Sequence, residues 1–221
     1  MTCTICNTRK AKRECPAAQS AICPQCCAEQ REETLDCPLN CEHLVQARLH
    51  AKYSKPEGGI PHSDIQLSES FLNAHDMLIQ FLSVLVRDAA VSIPGVTDTD
   101  LREGIDALIQ SYKTAAGSGL IYEARPANPY AAQVQETVKK RLEDLNARVA
   151  ERGGTTLRDK DILGVLVFIA RVASGVNNGR RKGRAFVGWL LDRFPVLPPA
   201  EGAAGEASEA APAASNLIIT G

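Results

Sequence analysis

The stretch that decides the fold is "DILGVLVFIARVA", residues 161–173. In a helix, its apolar side chains lie on every side, so no face of the helix is suited to contact with water. The apolar run 162–173 is too short to cross a bilayer, which takes about 20 apolar residues. We therefore predict that this segment forms a helix buried at the centre of a helical bundle.

Four further segments carry apolar residues at helical spacing, with turn residues between them. Ser63 and Gln66 fit a capping box ahead of the first segment, and Thr97 or Asp98 can cap the second. The four segments lie around 67–91, 97–116, 128–149 and 184–194. The sequence thus predicts an all-α body of about five helices over residues 64–195.

The eight cysteines divide the chain into parts of different character. All of them lie between Cys3 and Cys41, and none occurs in the residues that follow. We predict a cysteine-rich module over residues 1–50 and a proline- and glycine-bearing linker over residues 51–63. Residues 196–221 are rich in proline, alanine and glycine and carry only acidic charges, which is typical of a disordered tail.

The cysteines come in closely spaced groups, CTIC, CPQCC and CPLNC, with one further cysteine at position 15. A zinc ion takes four thiolate or imidazole ligands in a tetrahedron, and closely spaced pairs let the chain curl around it. A segment this short also needs metal in place of a hydrophobic core. We predict two zinc ions, one held by the first and one by the second of two sets: Cys3, Cys6, Cys23 and Cys26; Cys15, Cys27, Cys37 and Cys41.

Two alternatives to this ligand assignment stay open on the sequence. Cys26 and Cys27 can exchange places, because adjacent side chains point in different directions and suit different ions. His43 can replace Cys41 as a ligand, or it can be a capping or solvent-facing residue on a helix over residues 42–53.

The module partly resembles the double-zinc fingers of the HIT and MYND type, over about residues 1–45. The likeness lies in the opening pair Cys3 and Cys6, the later Cys15-Pro16, and the group from Cys23 to Cys27. The whole chain also looks like a set of uncharacterised bacterial zinc-finger proteins. The resemblance implies that the module contacts other proteins.

The motif CPQC, taken alone, also suits a redox dithiol, but that chemistry needs a strand before it and a helix after it in a βαβ unit. The spacing pattern matches no ferredoxin, so it gives no support to an iron–sulfur cluster. Zinc is the metal that the pattern favours.

Composition narrows the classes of partner. Charged residues make up 23% of the chain, apolar residues 44%, and the net charge is −1. Aromatic residues make up only 5%, so base-stacking surfaces for single-stranded nucleic acid are not expected. No secretory leader or membrane span is expected, and we predict a cytoplasmic protein with reduced thiols.

A local basic cluster stands out against this near-neutral balance. Arg180, Arg181, Lys182 and Arg184 lie in a glycine-bearing loop between two predicted helices. They can bind a phosphate, a nucleic acid or an acidic partner, or pair with acidic helix faces such as Glu143 and Asp144. A second group of basic residues, between Cys6 and Cys15, suits compensation of thiolate charge better than nucleic-acid contact.

The sequence carries no phosphate loop, nucleophile elbow or HExxH motif, and we predict no enzymatic activity. The function that it favours is a non-catalytic adaptor that binds zinc and contacts proteins. A nucleic-acid- or ribosome-associated factor is the alternative, and a thiol redox or metal sensor is the third. The apolar end of the tail, residues 216–221, is a candidate docking peptide.

Overall fold

The computed structural model describes residues 1–50, 59–119 and 123–196. Within these ranges the chain forms a two-stranded sheet and eight helices. The elements are β1 Arg13–Cys15, β2 Ser20–Ile22, α1 Pro24–Gln30, α2 Glu42–Leu49, α3 Glu69–Ala74, α4 Asp76–Ser92, α5 Asp98–Ser118, α6 Pro129–Glu151, α7 Asp159–Val176 and α8 Ala185–Arg193. The all-α body, the small cysteine module and the order of the two are confirmed. None of the described helices combines the length and the apolar character needed to cross a membrane.

The predicted central helix is α7. It packs against α5, α4 and α8, and α5 in turn packs against α6. Burial of apolar side chains along α7 is nearly continuous, which removes far more apolar surface from water than a one-sided amphipathic helix does. The apolar residues of α7 that are fully or almost fully buried are Ile162, Leu163, Val165, Leu166, Val167, Ile169, Ala170 and Ala173.

The first predicted body helix is interrupted. Its cap is Ser68 rather than the proposed Ser63. The hydroxyl of Ser68 accepts a hydrogen bond from the amide of Phe71 at 3.1 Å, and α3 therefore begins at Glu69. At His75 the backbone leaves the helical region, and α4 starts at the next residue. The described part of the body therefore has six helices, close to the predicted number of about five.

The two longest helices begin as their sequences suggest. Thr97 caps α5 in a capping box with Asp100, since each side chain bonds the backbone amide of the other residue. Asn128 caps α6 and Pro129 occupies its first turn. Gly104 lets these helices approach closely, because a Cβ there would lie 2.8 Å from the carbonyl oxygen of Ala131.

The segment just before α3 is fixed to the bundle. Arg171 of α7 donates hydrogen bonds to the carbonyl oxygens of Pro61, His62 and Ile65 at 2.6–3.1 Å. These contacts hold the last part of the predicted linker 51–63 against the body. The remainder of that linker and the tail from residue 197 onward, with the predicted docking peptide 216–221, lie outside the described residues.

The cysteine module has a core made largely of sulfur. β1 and β2 pair antiparallel with Arg13 opposite Ile22, and α1 follows β2 directly. Ile22 is fully buried among cysteines, which supply most of this small core. A core this small stabilises a fold only weakly, so ligation of a metal is the expected source of the module's stability.

Two glycines of α7 give a direct test of the packing. A Cβ added at Gly164 would overlap the ring of Phe71 of α3, whereas a Cβ at Gly175 meets nothing within 4 Å. We expect Gly164→Ala to lower the free energy of unfolding by about 1–3 kcal/mol, because the ring must move. Gly175→Ala in the same helix should leave stability unchanged or raise it by up to about 1 kcal/mol. Urea denaturation measures both, and equal effects would contradict this packing.

Candidate metal centre and its contact with the helical body

The first cysteine pair lies in a tight turn. The amide of Cys3 donates to the carbonyl oxygen of Arg9 at 2.8 Å, and the amide of Asn7 donates to the carbonyl oxygen of Cys3 at 2.9 Å. Asn7 has a φ of 54°, a left-handed conformation that asparagine tolerates better than most residues. The turn brings the side chains of Cys3 and Cys6 to one side of the loop.

The second pair begins α1. Cys23 is the N-cap residue, and its sulfur accepts a hydrogen bond from the amide of Cys26 at 3.4 Å. Pro24 occupies the first helical position, where the absence of an amide hydrogen costs nothing. The CPxC spacing thus places one sulfur before the helix and the other one turn into it.

These two pairs meet in a single cluster. The sulfur atoms of Cys3, Cys6, Cys23 and Cys26 all lie within 4.8 Å of one another. Tetrahedral zinc–sulfur bonds of about 2.3 Å place sulfurs about 3.8 Å apart, so the four thiols fit a metal with small adjustments. Cys26 rather than Cys27 belongs to this group, in agreement with the primary assignment.

The environment of the cluster favours negative charge at some of its sulfurs. Hydrogen bonds from the side chain and amide of Thr8, and from the amide of Arg9, lower the pKa of Cys6 to about 5. Burial raises the pKa of Cys26 to about 12. The guanidinium of Arg9 lies 3.9 Å from the sulfur of Cys23 and 4.0 Å from that of Cys26. Arg9 therefore compensates thiolate charge, which is the role expected for the basic residues between Cys6 and Cys15.

The other four cysteines line a second space. Cys15, Cys27, Cys37 and Cys41 line one cavity of about 10 Å³, together with His43. Such a volume holds about one small particle of the size of a water molecule. The guanidinium of Arg31 lies 3.9 Å from the sulfur of Cys27, as Arg9 does in the first cluster. Within residues 1–50, 59–119 and 123–196, however, only the first cluster has three or more ligand atoms within 4.8 Å of one another.

All eight thiols are free. Cys26 and Cys27 are adjacent on α1 and are both buried, yet they serve different groups. Neighbouring positions on a helix point about 100° apart, which follows from 3.6 residues per turn. The doublet thus joins the two groups through one peptide bond.

The predicted basic loop between α7 and α8 lies against the cysteine module. Arg180 donates to the carbonyl oxygens of Glu29 at 3.1 Å and Ala28 at 3.4 Å, and Lys182 donates to that of Thr34 at 3.2 Å. None of the loop's ion pairs involves the acidic face of α6 in the described part of the chain.

Arg184 connects the module to the body in the same way. Its guanidinium pairs with Asp36 at 2.9 Å, donates to the carbonyl oxygen of Cys37 at 3.4 Å and to that of Val96 at 2.9 Å. Arg181 is exposed and makes no hydrogen bond or ion pair with any described residue. The four basic residues proposed for anion binding are therefore not equivalent, because three of them hold the module and the body together.

A buried acid, Glu32, forms the centre of this contact. Its side chain is almost completely shielded, with 3% of the residue exposed. The carboxylate accepts hydrogen bonds from the side chain of Asn178 at 2.8 Å and the amide of Arg184 at 2.9 Å, and Arg48 of α2 lies 3.5 Å away. Its carbonyl oxygen accepts from the amide of Lys182 at 2.7 Å. A buried charge with this many donors satisfies the condition under which burial is tolerated.

A second buried acid, Asp98, caps α8 from another helix. Its carboxylate accepts from the amides of Phe186 at 3.0 Å and Val187 at 3.1 Å, in the first turn of α8. The residue before α8 is Arg184, whose side chain makes no cap hydrogen bond. Asp98 supplies the missing acceptor and places negative charge at the positive end of the helix dipole.

Sequence reasoning did not single out Glu32, Arg48 or the second role of Asp98. Glu32 stands next to Glu33 with the same side chain, and no spacing rule separates them. The sequence offers both Thr97 and Asp98 as caps for α5, and Thr97 takes that position. The signal in the sequence is that a basic residue, Arg184, precedes α8 at the cap position, which leaves the first amides of the helix without a local acceptor.

No protein-family model, curated protein or solved structure matches this chain. The likeness to HIT and MYND fingers thus rests on the cysteine spacing alone. The cluster of four cysteines is the feature that indicates a metal.

Asp98 makes the stability of the folded protein depend on pH. Burial, with a smaller contribution from the charge of Glu32, raises the pKa of Asp98 to about 6, although the two amides act in the opposite direction. The folded protein thus binds a proton more tightly than the unfolded chain, so stability falls as the pH rises from about 4 to about 6. We expect the stability difference between wild type and Asp98→Asn to shrink by about 2–3 kcal/mol over that range. Denaturation at several pH values measures it, and a constant difference would contradict this view of the site.

Proposed function

We propose that the chain is a non-catalytic zinc-binding adaptor of the cytoplasm, whose cysteine module carries two structural zinc ions and contacts a protein partner. The observation that carries the proposal is the cluster of Cys3, Cys6, Cys23 and Cys26. Four sulfur ligands complete a tetrahedron and leave no coordination position for a substrate, which is typical of structural rather than catalytic zinc.

The second zinc ion rests on a different set of observations. The remaining four cysteines line one cavity of about 10 Å³. The guanidinium of Arg31 lies beside the sulfur of one of them, Cys27. The sulfurs must move closer together when they bind a metal. Because folding of such modules is coupled to ligation, that adjustment is part of the binding reaction.

The proposed adaptor role has support in the way the module is mounted. Three basic side chains and Glu32 fix it to the body, so its outer surface has a defined orientation. On α2, Leu44 is buried, while Val45 and Leu49 one turn apart are 44% and 78% exposed. Two neighbouring apolar side chains on a fixed helix suit a protein contact.

The nucleic-acid alternative loses most of its proposed donors to the contact between module and body. Arg180, Lys182 and Arg184 donate to main-chain carbonyl oxygens of the module. We therefore place the adaptor role first.

Metal analysis tests the zinc proposal. We expect two zinc ions per chain in the purified protein, one in Cys3→Ser/Cys26→Ser and one in Cys37→Ser/Cys41→Ser, because each pair removes two ligands from a different site. Elemental analysis with protein quantification measures this. Fewer than two ions in the wild type, or loss of the same ion in both variants, would contradict the assignment.

The protein contact needs its own experiment. We expect Val45→Ser/Leu49→Ser to lose a partner that the wild-type protein retains in a quantitative affinity purification, with zinc content and stability unchanged. Met77→Ser is the matched control, because Met77 is 78% exposed on α4 of the body. If the two variants retain the same proteins in the same amounts, the contact does not involve α2.

A further inference from the structure

An open cleft lies beside the contact between the cysteine module and the body. Its volume is about 370 Å³, which is within the range of small-molecule sites. The residues that line it include Arg181, Lys182, Tyr130 and Thr99 of the body and Asp36 of the module. The seated module therefore supplies part of the cleft wall.

The side chains that line the cleft carry more positive than negative charge. Three cations line it against two carboxylates, those of Asp36 and Asp100. Asp36 is already paired with Arg184 at 2.9 Å. Asp100 is buried and accepts hydrogen bonds from the amide and hydroxyl of Thr97 and from the side chain of Asn128, at 2.6–2.8 Å. Neither carboxylate forms an ion pair with Arg181 or Lys182 in the described part of the chain, and the three cations leave a net positive charge.

Arg181 differs from its neighbours because it has no structural task in the described part of the chain. The side chains of Arg180, Lys182 and Arg184 all donate to carbonyl oxygens of the module. Arg181 makes no hydrogen bond or ion pair with any residue of the ranges 1–50, 59–119 and 123–196. An arginine that faces a cleft with all its donors unused suits an oxyanion, which it can bind with two parallel hydrogen bonds.

Tyr130, which also lines the cleft, suits the organic part of a ligand. Tyr130 is 43% exposed, and its hydroxyl makes no hydrogen bond with any described residue. It lies beside Gly95, where the main chain has no side chain to cover the ring. An aromatic ring with a free hydroxyl offers both an apolar surface and a donor.

We propose that this cleft binds a small organic phosphate, a phosphomonoester whose phosphate group contacts Arg181 and whose organic part lies along Tyr130. This site goes beyond the proposed adaptor role and does not depend on it. It makes the seated module part of a ligand site, since Asp36 and the anchor of Lys182 both come from the module.

The test uses the full-length protein as purified, with phenyl phosphate as the probe. Amide shifts in NMR spectra report where the probe binds, and their titration gives the dissociation constant. We expect saturable shifts at Gly95, Thr99 and Arg181. Arg181→Gln should weaken binding by about tenfold or more, because a charge-assisted pair is lost. Arg152→Gln should change it less than twofold, since Arg152 is an exposed arginine that does not line the cleft.

Two further probes separate the sources of a phosphate group. Inorganic phosphate should bind more weakly than phenyl phosphate, and Tyr130→Leu should remove that difference. Equal binding of both probes would overturn the assignment to an organic phosphate. Saturation by a short single-stranded RNA without a response to phenyl phosphate would overturn it in favour of nucleic acid. Equal effects of Arg181→Gln and Arg152→Gln, or no saturable shift, would overturn the site itself.

Discussion

The carboxylate of Glu32 is buried where the cysteine module meets the helical body, and the contact between them is built around it. Burial of a carboxylate without hydrogen-bond donors is costly, so both of its oxygens need donors. They come from the loop after α7, through Asn178 and the amide of Arg184, and from α2, through Arg48. Because these donors lie far apart in the chain, the hydrogen bonds to Glu32 hold the module, the loop after α7 and α2 together.

The contact extends from Glu32 into the bundle through the start of α8. Arg48 donates to the carbonyl oxygen of Arg184 at 3.0 Å. The guanidinium of Arg48 also packs against Gly188 of α8, where a Cβ would lie 2.6 Å from it. The amide of Asp98 bonds the carbonyl oxygen of Gly183 at 2.8 Å, and its carboxylate caps α8. The cysteine module and the packed body are thereby joined through one continuous set of contacts. Removal of the proposed metal should therefore loosen the loop after α7 as well as the cysteine module.

Much of the architecture follows from the sequence, and the part that does not has a physical reason. The all-round apolar pattern of residues 161–173 places α7 at the centre, since burial is the only favourable environment for it. The spacing of Cys3, Cys6, Cys23 and Cys26 indicates their cluster, because local turns bring each pair together. The role of the basic loop was not predictable in this way. Its partners lie about 150 residues earlier, and main-chain carbonyl oxygens leave no trace in a sequence. The choice of Glu32 over Glu33 likewise depends on tertiary position alone.

The most direct test of this account compares Glu32→Gln with Glu33→Gln in the protein as purified. Glu33 is the matched neighbour, about one-third exposed and 3.6 Å from Arg180, so its loss should cost no more than about 1 kcal/mol. Glu32→Gln removes the buried negative charge and one of the two acceptor oxygens that these donors share. It should lower the free energy of unfolding by about 3–5 kcal/mol. Hydrogen exchange should also quicken at the amides of Lys182 and Arg184 in that variant only. Equal stability of the two variants with unchanged exchange in the loop would contradict the central role of Glu32.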